Sequence, residues 1–482
     1  MKKILFVNPQ ILNKELYGDL GVAGSSAYPL GLCSLAAVAR KHGYAAQILD
    51  ARVLGMNLEE TVEEIIKINP DYLGLTAVTI TIDRVAEVAA EIKKKNAGIK
   101  IILGGPHLTA VPEETFNRFK SFDLGVIGEG ELTLIELLQK LDQGEDLNEV
   151  SGLIFVENGN LKLTKPRGFI ENLDDLPMPA WDLLPNLTKF YHPTIYSLNR
   201  LPSTHLVTSR GCPGKCIFCD TAVFGKKFRH FSSEYVMKMI KELYYNYGIK
   251  DILFDDDLFM GNRKRLVDIC NMLIEKKLNL TWSCNARVDF ITKDILSLMK
   301  NAGCWQIAYG IESGSQRMLD YMGKNTNLNQ IKEVLRWTRK AGIRTKGFFM
   351  MGYPIETKED ALQTIKFATE IDLLDFQINF FTPLPGSEAY KMTADKKLKE
   401  LAWGDLNFHT EPVFIPEKIS KAELMQLNKE AFRRFYLRPK IIISYLSMVK
   451  NWGNFLKLLK GMQALLIFLL PKTHKKRKPV TQ

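Results

Sequence analysis

The chain reads as an α/β protein: a flavodoxin-like (Rossmann-type), doubly wound parallel sheet, then a partial (β/α)6 barrel, then a helical, basic C-terminal tail. Strand-length apolar runs alternate with helix-period stretches through residues 1–145 and again through about 201–400. That alternation makes parallel sheets with helices on their faces. Polar and glycine residues gather where each strand would end, and such sheets bind ligands at those carboxyl ends.

In residues 1–145 the strands are expected at Ile4–Asn8, Ala46–Asp50, Tyr72–Thr76, Ile101–Gly104 and Leu124–Ile127. The helices between them are expected at Leu30–His42, Leu58–Ile68, Asp83–Asn96, Glu113–Arg118 and Leu132–Leu141. The first apolar run ends at Asn8-Pro9 after a few residues, so it reads as a strand and not as a signal peptide. The strand ends carry Asn8-Pro9-Gln10, the polar stretch Thr76–Thr81, Gly104-Gly105-Pro106-His107 and Gly128-Glu129-Gly130-Glu131. Glycine there lets a ligand approach the backbone closely.

Residues 146–200 read as a connector. Asn158-Gly159, between two short strands, is a hairpin signal. Pro177 and Pro179 then fix extended pieces, and Trp181 would anchor them against a domain. From 201 to about 400, strands are expected at His205–Ser209, Asp251–Asp255, Leu280–Cys284, Trp305–Tyr309, Thr345–Met350 and Phe376–Phe380.

The first of these delivers the stretch Ser209–Asp220, with Cys212, Cys216 and Cys219 at C-x3-C-x2-C spacing. Soft sulfur ligands select iron–sulfur clusters, zinc or copper(I). A structural zinc or an electron-carrying cluster normally takes four protein ligands. Cys270, Cys284 and Cys304 are scattered, and His205 and His230 lack finger-like spacing. Three ligands on a four-iron cluster leave one iron open.

This spacing, with Phe218 directly before the last cysteine, resembles that of the radical S-adenosylmethionine (SAM) enzymes. The resemblance implies a [4Fe–4S] cluster on Cys212, Cys216 and Cys219, with SAM on the open iron. One electron from the cluster would cleave SAM to a 5′-deoxyadenosyl radical. Phe218 would lie near the adenine. One of Asp255, Asp256 and Asp257 would accept from the SAM amino group. Arg287, in Asn285-Ala-Arg287, would pair with its carboxylate through a fixed fork of donors. Gly310-Ile-Glu-Ser-Gly314 would bring Glu312 and Ser313 to polar groups of SAM, and backbone near Gly352 would face the adenine. The loop Pro383–Tyr390 would help close the site.

Residues 1–145 resemble the cobalamin-binding domain that precedes many radical SAM domains, through Gly-Gly-Pro-His-Leu-Thr-x-x-Pro-Glu-Glu and Gly-Glu-Gly-Glu-x-Thr. The resemblance implies a corrinoid across the sheet ends, near Thr79, Gly104, Gly105, Gly128 and Glu129. The chain departs from the D-x-H-x-x-G pattern that supplies a histidine to cobalt, since no histidine precedes His42. His107 reads as an ordinary hydrogen-bonding loop histidine.

Seven cysteines without an even framework argue for a reducing, cytoplasmic setting. The net charge of +11 is unevenly placed: residues 429–482 carry +12, leaving −1 for the rest. The body is therefore no nucleic-acid binder. The tail, 401–482, has an apolar run at Ala464–Leu470, too short for the ~20 residues of a membrane span. With the basic cluster Lys472–Lys478 beside it, the tail fits a helix lying on an anionic membrane surface.

Together the two resemblances cover residues 1 to about 400 and imply a methyltransferase. One SAM would methylate the corrinoid; a second would yield the radical that activates an unactivated carbon of a lipid, isoprenoid or tetrapyrrole-like substrate. A flavodoxin or ferredoxin would donate the electron. The alternatives are a non-methylating radical cyclase or rearrangement enzyme, similar to the anaerobic magnesium-protoporphyrin ester cyclase branch, and a non-catalytic cobalamin or iron–sulfur sensor.

Overall fold

A computed structural model describes residues 1–18, 24–194, 199–393, 403–447, 449 and 452–469. Its first sheet has seven strands: β1 (Lys3–Asn8), β2 (Ala45–Asp50), β3 (Tyr72–Thr76), β4 (Lys100–Gly104), β5 (Leu124–Val126), β6 (Leu153–Glu157) and β7 (Asn160–Leu163). They lie in the order β2-β1-β3-β4-β5-β6-β7. The first five are parallel, and β6 and β7 are antiparallel.

Both faces of this sheet are covered, which is why β1 is apolar throughout. Ile4 and Phe6 pack under helices α1 (Leu30–Lys41) and α4 (Gly130–Gln143), while Leu5 and Val7 pack under α2 (Leu58–Ile68) and α3 (Ile82–Lys95). Helix α2 starts on a reciprocal cap. The Asn57 side chain accepts from the Glu60 N–H at 3.0 Å, and the Glu60 carboxylate accepts from the Asn57 N–H at 2.8 Å.

The hairpin turns at Asn158 and Gly159, both with positive φ (49° and 79°), as a two-residue primed turn requires. Its place corrects the sequence reading, which put it in the connector. β6 pairs with β5 and extends the first sheet, covering what would be an open edge. Trp181 does anchor the connector: it is buried, and the Ala180 N–H donates to Cys33 O of α1 at 3.0 Å.

The second half contains β8 (Ser203–Leu206), β9 (Ser209–Arg210), β10 (Arg229–His230), β11 (Asp251–Phe254), β12 (Thr281–Ala286), β13 (Cys304–Glu312), β14 (Arg344–Met351) and β15 (Asp375–Phe380). Six of them form an all-parallel sheet in the order β15-β14-β13-β12-β11-β8. Five outer helices follow: α5 (Ser233–Asn246), α6 (Arg263–Lys276), α7 (Lys293–Asn301), α8 (Leu328–Lys340) and α9 (Lys358–Glu370). This is an open half-barrel, with β8 and β15 as its edges. The expected first strand is divided: β8 ends at Leu206, and Ser209–Arg210 pairs separately with Arg229–His230.

Three helices complete the described chain: α10 (Lys421–Tyr436), α11 (Pro439–Leu446) and α12 (Trp452–Leu469). Phe435 of α10 stacks on Phe376 of β15 at 4.8 Å, Phe432 meets the same ring edge-on at 5.6 Å, and Phe468 of α12 packs on Phe432 at 4.9 Å. The tail helices thus dock on the barrel's open edge. No helix among the described residues is long and apolar enough to cross a membrane. The basic cluster Lys472–Lys478 lies outside the described residues.

Candidate active site

The cysteine loop is held from both sides. Gly211 has φ +82°, and a Cβ there would run into Lys227 O, so glycine is required to turn the chain off β9. Its N–H donates to Asp257 at 3.0 Å. On the far side, the Ala389 N–H of the Pro383–Tyr390 loop donates to Ile217 O at 2.8 Å. That loop therefore packs against the cysteine loop.

Around the sulfurs the charge pattern suits a metal cluster. Cys219 reaches the surface, yet desolvation of its sulfur and the charges of Cys216 and Asp257 push its thiol up to about 12. Three thiolates in one loop need a cationic centre between them to ionise together. Among the described residues no three His, Cys, Asp or Glu side chains gather as ligands of a single ion. Cys212, Cys216 and Cys219 are free thiols in one loop, and soft sulfur donors of this kind suit an iron–sulfur cluster. The Arg287 guanidinium sits at its rim, 3.6 Å from Cys216 Sγ, with Asp289 holding it at 2.8 Å.

The other residues assigned to SAM divide. Phe218 lies beside the cysteines, with its ring 6.3 Å from Tyr353. Asp255 faces the barrel mouth, accepting from Asn285 at 2.8 Å and lying 3.4 Å from His205 Nδ1. Desolvation pushes this carboxyl up, but the His205 and Asn285 contacts outweigh it and hold it below the ordinary value. Glu312, at φ +67°, pairs with Lys324 at 2.9 Å, both buried.

Asp256, Asp257 and Ser313 are held by hydrogen bonds to the scaffold, which leaves Asp255 as the member of the acidic triplet open to the barrel mouth. Asp256 is buried and accepts from the Thr208 N–H (2.7 Å) and the Thr208 and Ser209 hydroxyls (3.0 and 2.7 Å). Desolvation raises it to about 6. Asp257 fixes Gly211. Ser313 is fully buried against the Thr364 hydroxyl of α9 at 3.0 Å. Gly352, at φ +95°, turns the chain after β14, but its N–H is donated to the Glu356 carboxylate and is not free for adenine.

Glu129 sits in a charged network. Its carboxylate, assigned to a corrinoid, lies between the two halves of the chain. Arg210 Nη1 reaches it at 2.8 Å and Arg229 Nη1 at 2.8 Å, while Arg210 Nη2 reaches Glu131 at 2.6 Å. The Ile170 N–H and the Ser34 hydroxyl complete the network at 2.8 and 2.9 Å. Desolvation pushes Glu131 up, but Arg210 outweighs it and holds the carboxyl low. Arg210 stands two residues before Cys212, so this network fixes the cysteine loop against the end of β5.

On the first sheet, the order β2-β1-β3-β4-β5 places a topological switch point between β1 and β3, where flavodoxin-like sheets bind their ligands. A cavity of about 260 Å³ lies there, lined by Asn8, Pro9, Pro29, Gly31, Thr76 and Thr81. Its wall also carries Ile11, Leu16, Leu32, Val78 and Ile80, with Arg52 as its one cation among the described residues. Gly105 (φ +100°) lets β4 turn within reach of β3: a Cβ there would meet Ala77 O and the Thr76 hydroxyl, each at 2.7 Å. Gly104 and Gly128 stand at the ends of β4 and β5, and the Gly128 N–H donates to the Thr109 hydroxyl at 3.0 Å. Thr79 faces inward to His107, 3.3 Å from Nδ1. His107 itself is buried beneath Trp403, with ring centroids 4.4 Å apart; desolvation and Arg118 lower it to about 3. It is a neutral packing histidine.

Sequence reasoning missed Lys324, although its partner Glu312 is only 12 positions away, and the Arg210–Arg229 network, whose partner Glu129 lies 81 and 100 positions away. It marked Asn8-Pro9 and Thr76–Thr81 as strand ends, but only the strand order shows that they share one cavity.

Comparison with known proteins agrees with this geometry. The radical SAM superfamily model matches residues 206–368, and the B12 binding domain model matches residues 18–138. An uncharacterized methyltransferase of Pyrococcus horikoshii is 35% identical over 424 residues, which cover 88% of this chain and 90% of that one. The anaerobic magnesium-protoporphyrin IX monomethyl ester cyclase of Rubrivivax gelatinosus is 27% identical, over 91% of this chain and 78% of its own. Among solved structures, the cobalamin-dependent SAM radical enzyme OxsB, with aqua-cobalamin and SAM bound, shares the fold. It has a TM-score of 0.73 at 19% identity, covering 97% of this chain and 72% of its own. The methyltransferase TsrM from Kitasatospora setae, with cobalamin and a [4Fe–4S] cluster bound, has a TM-score of 0.67 at 16% identity, over 91% and 90%. The chain belongs to the radical SAM superfamily, in its cobalamin-binding branch. It is an enzyme whose cofactors are a [4Fe–4S] cluster, SAM and cobalamin.

Proposed function

We propose that the protein methylates an unactivated carbon of an apolar substrate, a lipid, isoprenoid or tetrapyrrole, in a reducing cytoplasm at an anionic membrane surface. The observation that carries this reading is the buried Arg210 network. It binds the cysteine loop to the carboxyl edge of the first sheet through four charged side chains, each at least nine-tenths buried. A corrinoid edge and a radical site held together in this way suit methyl transfer between them. The Pyrococcus horikoshii relative, described as a methyltransferase, supports the same reaction class.

When bound, the cofactors supply one-electron cleavage of SAM and a corrinoid-borne methyl group. The chain supplies the placement. Cys212, Cys216 and Cys219 would hold the cluster. Asp255 presents an ionised carboxylate, fixed by Asn285 and His205, for an ammonium group. Arg287 presents a guanidinium fixed by Asp289 for a carboxylate. Phe218, backed by the buried Tyr353, would offer an apolar surface for an adenine. Seven free cysteines accord with a reducing setting, and a flavodoxin or ferredoxin would be the donor. The non-methylating cyclase reading is favoured by the 27% likeness to the cyclase over nearly the whole chain.

The test is anaerobic. Reconstituted protein, cobalamin, reductant, SAM and a total lipid extract should give both 5′-deoxyadenosine and S-adenosylhomocysteine, the second only with cobalamin. Deoxyadenosine alone would transfer the assignment to a cyclase or rearrangement. Neither product, with the cluster intact, would leave a sensor.

A further inference from the structure

The sheet of the half-barrel never closes: β8 pairs only with β11, and β15 only with β14. A chamber of about 1110 Å³ fills this seam, at the upper end of ligand-site volumes. One wall is β15, whose six residues span about 17 Å. The other is formed by α10, α11 and α12, through residues such as Met425, Ile441, Leu458 and Leu465. Its charged lining gathers at one end, where Arg200 precedes β8 and Arg344, Lys346 and Asp375 begin β14 and β15. The opposite end lies at Phe380 and His409. Phe381, the next residue, packs on Tyr353 at 4.6 Å, and Tyr353 meets Phe218 of the cysteine loop.

The helices that wall the chamber also expose apolar residues to the outside. Leu437, Ile443, Leu446, Met462 and Leu466 are each at least half exposed. Leu437, Leu446, Met462 and Leu466 of these also line the chamber, so its wall is continuous with the apolar outer surface. A helix that is apolar on both sides is suited to a non-aqueous neighbour. An exposed apolar patch of this extent marks an interaction site. The sequence from 429 to 482 carries a charge of +12, which complements an anionic headgroup layer.

We infer that the seam is a chain-binding site. One long apolar chain of a lipid drawn from an anionic bilayer enters between α11 and α12 and lies along β15, with its far end at Phe380, next to the packed Phe381–Tyr353–Phe218 wall of the cysteine loop. The inference rests on the methyl-transfer reading for the chemistry at that end, but the binding itself does not depend on it.

Two probes test it on the full-length, reconstituted protein. The fluorescent 18-carbon cis-parinaric acid should bind saturably, one per chain. Met425→Trp and Leu465→Trp, which fill the chamber, should weaken it at least tenfold while iron content stays unchanged. A diazirine-bearing palmitic acid, irradiated with wild-type protein on phosphatidylglycerol vesicles, should label peptides from 425–446 and 458–468. Absent or non-saturable parinarate binding, unaltered binding in both variants, or labelling elsewhere would overturn the chamber assignment. Cobalamin-dependent S-adenosylhomocysteine, measured in the same preparation, separates the two readings. Its presence without chain binding sinks only the chamber, and chain binding without it sinks only methyl transfer.

Discussion

Arg287 and Lys324 both bring positive charge to Cys216, one from the end of β12 and one from the loop beyond β13. Each is held by a carboxylate, Asp289 or Glu312, so the cations stay in place whether or not the thiolates are charged. Glu356 presents the opposite case. It is fully buried, and desolvation raises it to about 7 although the Gly352 and Tyr353 N–H groups donate to it. Its folded value lies above its ordinary 4.5, so the native state binds this proton more tightly than the unfolded chain does. The stability it contributes is complete below about 4.5 and is lost as the pH rises through about 7. Glu356→Gln keeps the shape without the ionisation. Urea unfolding should show the wild type losing about 3 kcal/mol more than the variant across that window. Equal pH slopes would contradict the burial argument.

At the scale of elements, the decisive contact joins β9 and β10 to the end of β5. Arg210→Met leaves Glu131 buried without its cation, and breaking a buried pair in this way costs about 3–5 kcal/mol. Denaturant unfolding of the reconstituted protein should show that loss, and a change below ~1 kcal/mol would mean that water already reaches the network. The elements themselves were legible in the sequence. Apolar runs bounded by polar ends marked β1 to β5 and β11 to β15, and Asn158-Gly159 marked its hairpin. Their pairings were less so. Nothing near residue 153 says that β6 will add to β5, because strand order is set by what the helices cover. The same limit explains the site. The cysteines, Arg287 and Asp255 act through their own strand ends and could be read locally. Ser313, Asp256 and Glu129 are consumed by Thr364, Thr208 and Arg210, each at least 48 positions away, and such partners leave no local signal.

Over the whole molecule, a mixed first sheet and an all-parallel second sheet meet with a charged contact at the cysteine loop, while a third, helical layer covers the seam of the second sheet. The fold class and the three cysteines could be read from the chain. The seam chamber could not, since it exists only where residues near 440 and 465 return to β15. All of it depends on the three sulfurs holding one cluster. The direct measurement is the iron-to-protein ratio of Cys212→Ala after anaerobic reconstitution, beside wild type, with 5′-deoxyadenosine formation assayed in both. The account predicts that the variant loses its cluster iron and forms no 5′-deoxyadenosine. An unchanged iron ratio, or undiminished SAM cleavage, would contradict it.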